Sequence, residues 1–207
     1  MSSTLLRRLR LAIPLTTALA LALPPSGASA GPLVAGAPNC GAQTLLQPFM
    51  PWADVASYTL NPGGSFEPGT AAWTLYGASV ARGNEPFFVG SAGDFRSLSI
   101  PSGGSARSAE ICVGLGHPDI RFFARGSNPT ATLSVQVLFE DGSGNVQTLP
   151  IGGVTGSSGW ALTAPMPIVA NLLPLLPNAM TPVKFSFSAS GGSFQIDDLY
   201  VDPYRYT

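Results

Sequence analysis

Ala131-Thr132-Leu133-Ser134-Val135-Gln136-Val137-Leu138-Phe139-Glu140 is the stretch that decides the fold class. Leu133, Val135, Val137 and Phe139 recur at every second position, with Ser134 and Gln136 between them. Side chains of an extended chain point alternately to opposite faces, so this run is a strand with one apolar and one polar face. Val183-Lys184-Phe185-Ser186-Phe187-Ser188-Ala189 repeats the pattern. Sheets buried on one face and wet on the other are antiparallel.

Shorter strand candidates surround these two, at 72–76, 86–90, 95–100, 107–113, 120–125, 147–151 and 193–201. Turn residues separate nearly all of them, and Asp141-Gly142-Ser143-Gly144-Asn145 reads as a hairpin loop. No capped apolar stripe of helical period lasts three turns. Many short strands at this spacing predict an all-β, two-sheet antiparallel β-sandwich of the jelly-roll kind. The Leu- and Pro-rich segment 165–182 is the exception and is expected to be a loop packed across a sheet end. Glycine and proline are abundant and charge is sparse, but the alternating runs of Val, Ile, Leu and Phe argue against disorder.

The chain opens with Arg7, Arg8 and Arg10, an apolar stretch over 11–23, and Ala28-Ser29-Ala30. This is the form of a secretory leader cleaved before Gly31. The stretch is too short to cross a membrane, which needs roughly 20 apolar residues. We expect a signal peptide at 1–30, an N-terminal arm at 31–54, flexible at its start, and one β-sandwich domain at 55–207. The mature protein would be secreted. Three of the ten basic residues lie in the leader and none of the eleven acids does, leaving seven basic against eleven acidic side chains. That balance argues against nucleic acid and against an anionic membrane surface. Two cysteines in an exported chain usually pair, so Cys40 and Cys112 are expected to form a disulfide.

Four pieces then occur in a telling order. They are Gly64-Ser65-Phe66-Glu67-Pro68-Gly69 with Trp73 after it, Trp160 behind a Gly/Ser loop, the strand from Val183, and Gly191-Gly192-Ser193-Phe194-Gln195-Ile196-Asp197-Asp198-Leu199. Over residues 61–201 this order resembles the galactose-binding-like jelly-roll superfamily, notably the carbohydrate-binding modules of secreted glycosidases. The resemblance implies a structural Ca²⁺ held by Glu67 and Asp197. The alternative is that Glu67 is a solvated turn residue and Asp197 an ordinary edge residue. One observation on the residues favours a special role for the acids. Phe194 and Ile196 share one parity and Leu199 and Val201 the other, so Asp197-Asp198 sits at a bulge, and charges there need partners.

Signals for catalysis are weak. The single histidine, His117, lies in a Gly-His-Pro turn, and no nucleophile elbow or phosphate loop is present. A carboxylate pair for glycoside hydrolysis cannot be dismissed by counting, but none stands in a distinctive motif. The expected function is a non-catalytic binding module for carbohydrate or a cell-surface glycan. The alternatives are an adhesive envelope protein that binds another protein and, behind it, a small secreted hydrolase. The ligand site expected from alternation is Arg121, Phe123 and Arg125 on one open sheet face. On the competing reading these arginines pair with nearby carboxylates.

Overall fold

The computed structural model describes residues 31–37, 40–67, 73–168, 176 and 179–204. The leader at 1–30 and most of 165–182 beyond Ile168 lie outside the described residues. Thirteen strands are described: β1 (Thr59–Leu60), β2 (Thr74–Tyr76), β3 (Ser79–Arg82), β4 (Arg96–Ile100), β5 (Ser105–Arg107), β6 (Ile111–Gly114) and β7 (Asp119–Gly126). They continue with β8 (Thr132–Glu140), β9 (Val146–Thr155), β10 (Ala161–Leu162), β11 (Met166–Pro167), β12 (Met180–Ser190) and β13 (Phe194–Asp202).

The strands form two sheets. One has the order β10-β7-β13-β4-β3, with β1 added on β13 and β11 on β7. The other has the order β2-β5-β12-β8-β9, with β6 added on β12. Every strand pair is antiparallel. The alternating residues that predicted this do the work: Leu133, Val135, Val137, Phe185 and Phe187 face Leu98, Ile120, Phe122, Phe194 and Ile196 across one core. The protein is the two-sheet antiparallel β-sandwich that the alternation predicts, and Asp141–Asn145 forms the hairpin loop between β8 and β9.

Four local expectations are corrected. Residues 86–90 are not a strand: they belong to the long loop between β3 and β4, closed by Gly83 N–H donating to Phe95 O at 2.9 Å. The Glu85 carboxylate, fully buried, accepts the N–H groups of Phe87 and Val89 and folds that loop on itself. The run 107–113 is split into β5 and β6, because Ser108 Oγ accepts the Phe185 N–H and replaces one ladder bond. β12 begins at Met180 and runs through Pro182, inside the segment expected to be a loop. Pro182 sits opposite Cys112 beside the end of the β8 ladder, where its missing N–H leaves no gap in the central pairing. The arm start is not loose: Pro32–Gly36 forms a short helix, α1, and the buried Glu140 carboxylate accepts the free N–H groups of Gly31, Leu33 and Val34 at its N-terminal end.

The stretch 40–52, which reads as an irregular, partly buried lead-in, starts an element that covers a sheet. Residues 46–58, with a 3-10 turn at Met50–Trp52, lie over the outer face of the seven-stranded sheet. Phe49, Tyr58, Phe123 and Tyr200 make a separate buried cluster there, with Phe49 edge-to-face on Tyr58 and Tyr200 at 4.9 and 5.5 Å and tilted on Phe123 at 6.1 Å between ring centres. The Cys40–Cys112 disulfide forms as expected and ties the chain ahead of this segment to β6.

Candidate functional site

The two sheets present different outer faces. On the seven-stranded sheet the alternation of β7 holds: Phe122 and Ala124 enter the core, while Arg121, Phe123 and Arg125 point out. The face is not open, however. Phe123 is 0% exposed under Phe49, Trp52 and Phe87, which removes it as a ligand contact. Arg121 Nη1 donates to Asp54 Oδ2 at 2.6 Å and its Nε to Thr163 O at 2.9 Å, with the guanidinium over the Phe49 ring. Burial pushes the Asp54 carboxyl upward, but hydrogen bonds from Tyr58 and Arg121 outweigh it and hold the group below its ordinary range. Arg121 therefore fastens the covering segment, as the ion-pair alternative has it. Of the expected trio only Arg125 lines an accessible pocket.

The acids gather beneath the loop between β3 and β4. Asp197 Oδ2 accepts Glu85 N–H at 3.1 Å, and Asp198 Oδ2 accepts Gly90 N–H at 3.2 Å. β13 bulges here as the parity change predicts, with its register on β7 shifting between Asp197 and Tyr200 and Asp198 at φ +49°. Burial, then the Asp198 charge, pushes Asp197 up to about 9. Burial, then the charges of Glu85 and Asp94, pushes Asp198 up to about 7.

No hydrogen bond joins Glu67 to Asp197. Glu67 Oε1 accepts Phe95 N–H at 2.8 Å, at the exit of the same loop, and its nearest cation is Arg96 at 4.0 Å. The acids that face Asp198 are Glu85 and Asp94. A Cβ on Gly90 would lie 2.7 Å from Asp94 Oδ2 and 3.1 Å from Asp198 Oδ1, so both carboxylates crowd the space that a glycine leaves free. Asp198 Oδ1 is buried with no hydrogen-bond partner. A cation would satisfy it. Among the described residues no three His, Cys, Asp or Glu side chains form a metal-ligand group. An ion here would take Asp94 and Asp198 and complete its six to eight oxygens from backbone and water.

Among the described residues the six-stranded sheet is covered at one end by α1, and Thr74, Tyr76, Arg107, Ser134 and Ser188 on its outer face are exposed. Its outward positions fall into cross-strand rows. Thr74, Arg107, Ser186, Gln136 and Pro150 form one, and Tyr76, Ser105, Ser188, Ser134 and Gly153 the next. Ser190, Thr132 and Thr155 extend the second row's edge. Tyr76 is 49% exposed, and the Arg107 guanidinium lies 5.4 Å from its ring centre. Hydroxyls, one amide, Pro150 and Gly153 make up the rest of these rows, Arg107 brings the charge in them, and Lys184, paired with Glu110 at 2.7 Å, stands further along the same face of β12. The sequence marked Ser134, Gln136, Ser186 and Ser188 only as the wet side of two strands. Which short strands stand beside them is decided by pairing across about eighty residues.

No family model and no curated protein matches the sequence. Solved structures do. The CBM22-1 xylan-binding domain from Paenibacillus barcinonensis Xyn10C aligns at 14% identity and a TM-score of 0.47, over 70% of this chain and 94% of that one. TmCBM61 in complex with β-1,4-galactotriose aligns at 15% identity and 0.40, over 67% and 94%. The CBM22-1–GH10 modules of Clostridium thermocellum xylanase 10B, complexed with xylohexaose, align at 15% and 0.49, over 70% of this chain but 28% of that longer one. These are carbohydrate-binding modules, the class of domain that the order of pieces over residues 61–201 resembles.

Proposed function

We propose that this protein is a secreted, non-catalytic module that binds carbohydrate across the open face of the six-stranded sheet. The observation that carries this reading is the exposed Tyr76 ring, held by Arg107 inside rows of Ser, Thr and Gln. A neutral sugar has an apolar ring face and a rim of hydroxyls. An aromatic platform flanked by groups that both donate and accept hydrogen bonds matches both. The likeness to carbohydrate-binding modules agrees with it. His117 is exposed in a left-handed turn with φ +65°, which does not resemble a catalytic base held by a second group.

Retention on insoluble polysaccharides and titration with soluble oligosaccharides test the reading. Tyr76→Ala is expected to weaken binding about 10-fold, the size of one aromatic or cation–π contact of 1–2 kcal/mol. Arg107→Ala is expected to act in the same direction, and both variants should keep the wild-type melting temperature. Unchanged affinity in both would remove this face from the proposal.

Calcium belongs to the proposal as a structural ion, with Asp94 and Asp198 supplying carboxylates under the loop. Its role there would be to neutralise buried charge and fix the loop against β13. An adhesive role is the second reading. It is favoured by Met50, Val55, Phe87 and Phe88, which are exposed on the segments that cover the seven-stranded sheet.

A further inference from the structure

The seven-stranded sheet carries an accessible pocket on its outer face, of about 330 Å³, lined by Ser99, Arg125, Ser127, Ser158, Ser193 and Gln195. Its polar groups are biased toward donors. Arg125 Nε donates to Gln195 Oε1 at 2.5 Å, which leaves both Nη groups unused by that bond. An arginine can only donate, so this contact fixes the amide: Gln195 gives its oxygen to Arg125 and has its NH₂ left to give. Ser127 Oγ accepts from Ser193 N–H at 3.0 Å and from Asn128 Nδ2 at 3.3 Å. With both lone pairs engaged, its hydrogen still requires an acceptor. No carboxylate lines the pocket, and among the described residues Arg125 has no acid within ion-pair distance. Trp160 holds the guanidinium in place, with the charge 5.0 Å from its ring centre.

We propose that this pocket binds a compact oxyanion, a carboxylate or a sulfate ester, carried on a saccharide. A planar guanidinium with two free Nη groups takes such a group through two parallel hydrogen bonds, and Ser127 and Gln195 add further donors. The inference that the anion is borne by a sugar rests on the carbohydrate reading; the anion site itself does not. The site lies on the opposite sheet from Tyr76, so one chain presents a neutral and an acidic subsite.

The test is calorimetric titration of the whole secreted chain with three oligosaccharides of equal length: neutral, uronate-containing and sulfated. The expected result is binding of at least one acidic oligosaccharide that falls at least 10-fold in Arg125→Gln, falls less in Arg125→Lys, and is unchanged in Tyr76→Ala. It should also weaken as salt rises. Preference for uronate or for sulfate identifies which anion the pocket takes. Equal affinity of wild type and Arg125→Gln for all acidic ligands, or no acidic binding at all, overturns the proposal. Should Tyr76→Ala abolish neutral binding while the wild type binds no acidic oligosaccharide, the carbohydrate face stands while the anion site falls. A wild-type melting temperature in Arg125→Gln shows that lost binding is not lost folding.

Discussion

Replacing Cys40 and Cys112 together with serine is expected to remove about 4 kcal/mol of stability, the chain-entropy value for a loop of this length. The bridge spans 72 residues, so the unfolded chain regains much freedom when it is gone. At roughly 2–4 °C per kcal/mol for a chain of this size, the melting temperature should fall by roughly 10 °C or more. The native fold should also lose local order first at the segment leading to Phe49, because Cys40 fixes that segment's start against β6. Gln43, which donates to Cys112 O at 2.8 Å, is the only other side-chain tie nearby among the described residues. Scanning calorimetry of wild type, reduced wild type and the double variant checks this. A double variant melting within about 3 °C of wild type would show that the bridge decorates a fold already held by its sheets.

The second large effect concerns the buried acids. In chelator, stability should fall as pH rises from about 5 to about 9. Folded Asp198 keeps its proton to about 7 and Asp197 to about 9, whereas an unfolded aspartate releases it near 3.9. Across that window the folded state binds more protons, so unfolding becomes easier as pH increases. The contribution is fully present below pH 4 and is lost through pH 7 and on to 9. For Asp198 alone its size between pH 5 and 8 is on the order of 3 kcal/mol. Asp198→Asn should flatten this slope and raise stability at pH 8. Its amide oxygen keeps the Gly90 N–H bond, and its NH₂ replaces the partnerless oxygen beside Glu85 and Asp94. Calcium should stabilise wild type at pH 8 and do little for Asp198→Asn. Thermal melts over pH 5–9, with calcium and with chelator, read all of this. Stability that rises with pH in chelator would contradict the burial of unpaired carboxylates, and calcium without effect on wild type would remove the ion.

Side-chain alternation is a local property, so what depends on it was legible. Leu133 to Phe139 and Val183 to Phe187 announced buried strand faces, the change of parity at Asp197-Asp198 announced a bulge, and Arg121, Phe123 and Arg125 were placed on a common face. Pairing is not local. Nothing near Ser108 says that its hydroxyl will stand in for a ladder bond, and nothing near Pro182 says that its missing N–H will cost nothing there. The run 86–90 is apolar enough to look like a strand, yet Glu85 captures its N–H groups and makes it a lid over the acids.

The amino-acid order alone determined the sheet character of this protein, the disulfide and the two-faced strands, because period-two patterning and the pairing of two lone cysteines need no knowledge of neighbours. Only the tertiary structure decided which faces meet solvent. Residues 46–58 fold back over Phe123, the loop between β3 and β4 seals Asp197 and Asp198, and the short strands bring Tyr76 beside Ser105 and Arg107 beside Ser186, about eighty positions away. Exposure belongs to the packed molecule, since a side chain directed outward from a sheet reaches water only where no other part of the chain has been laid across it.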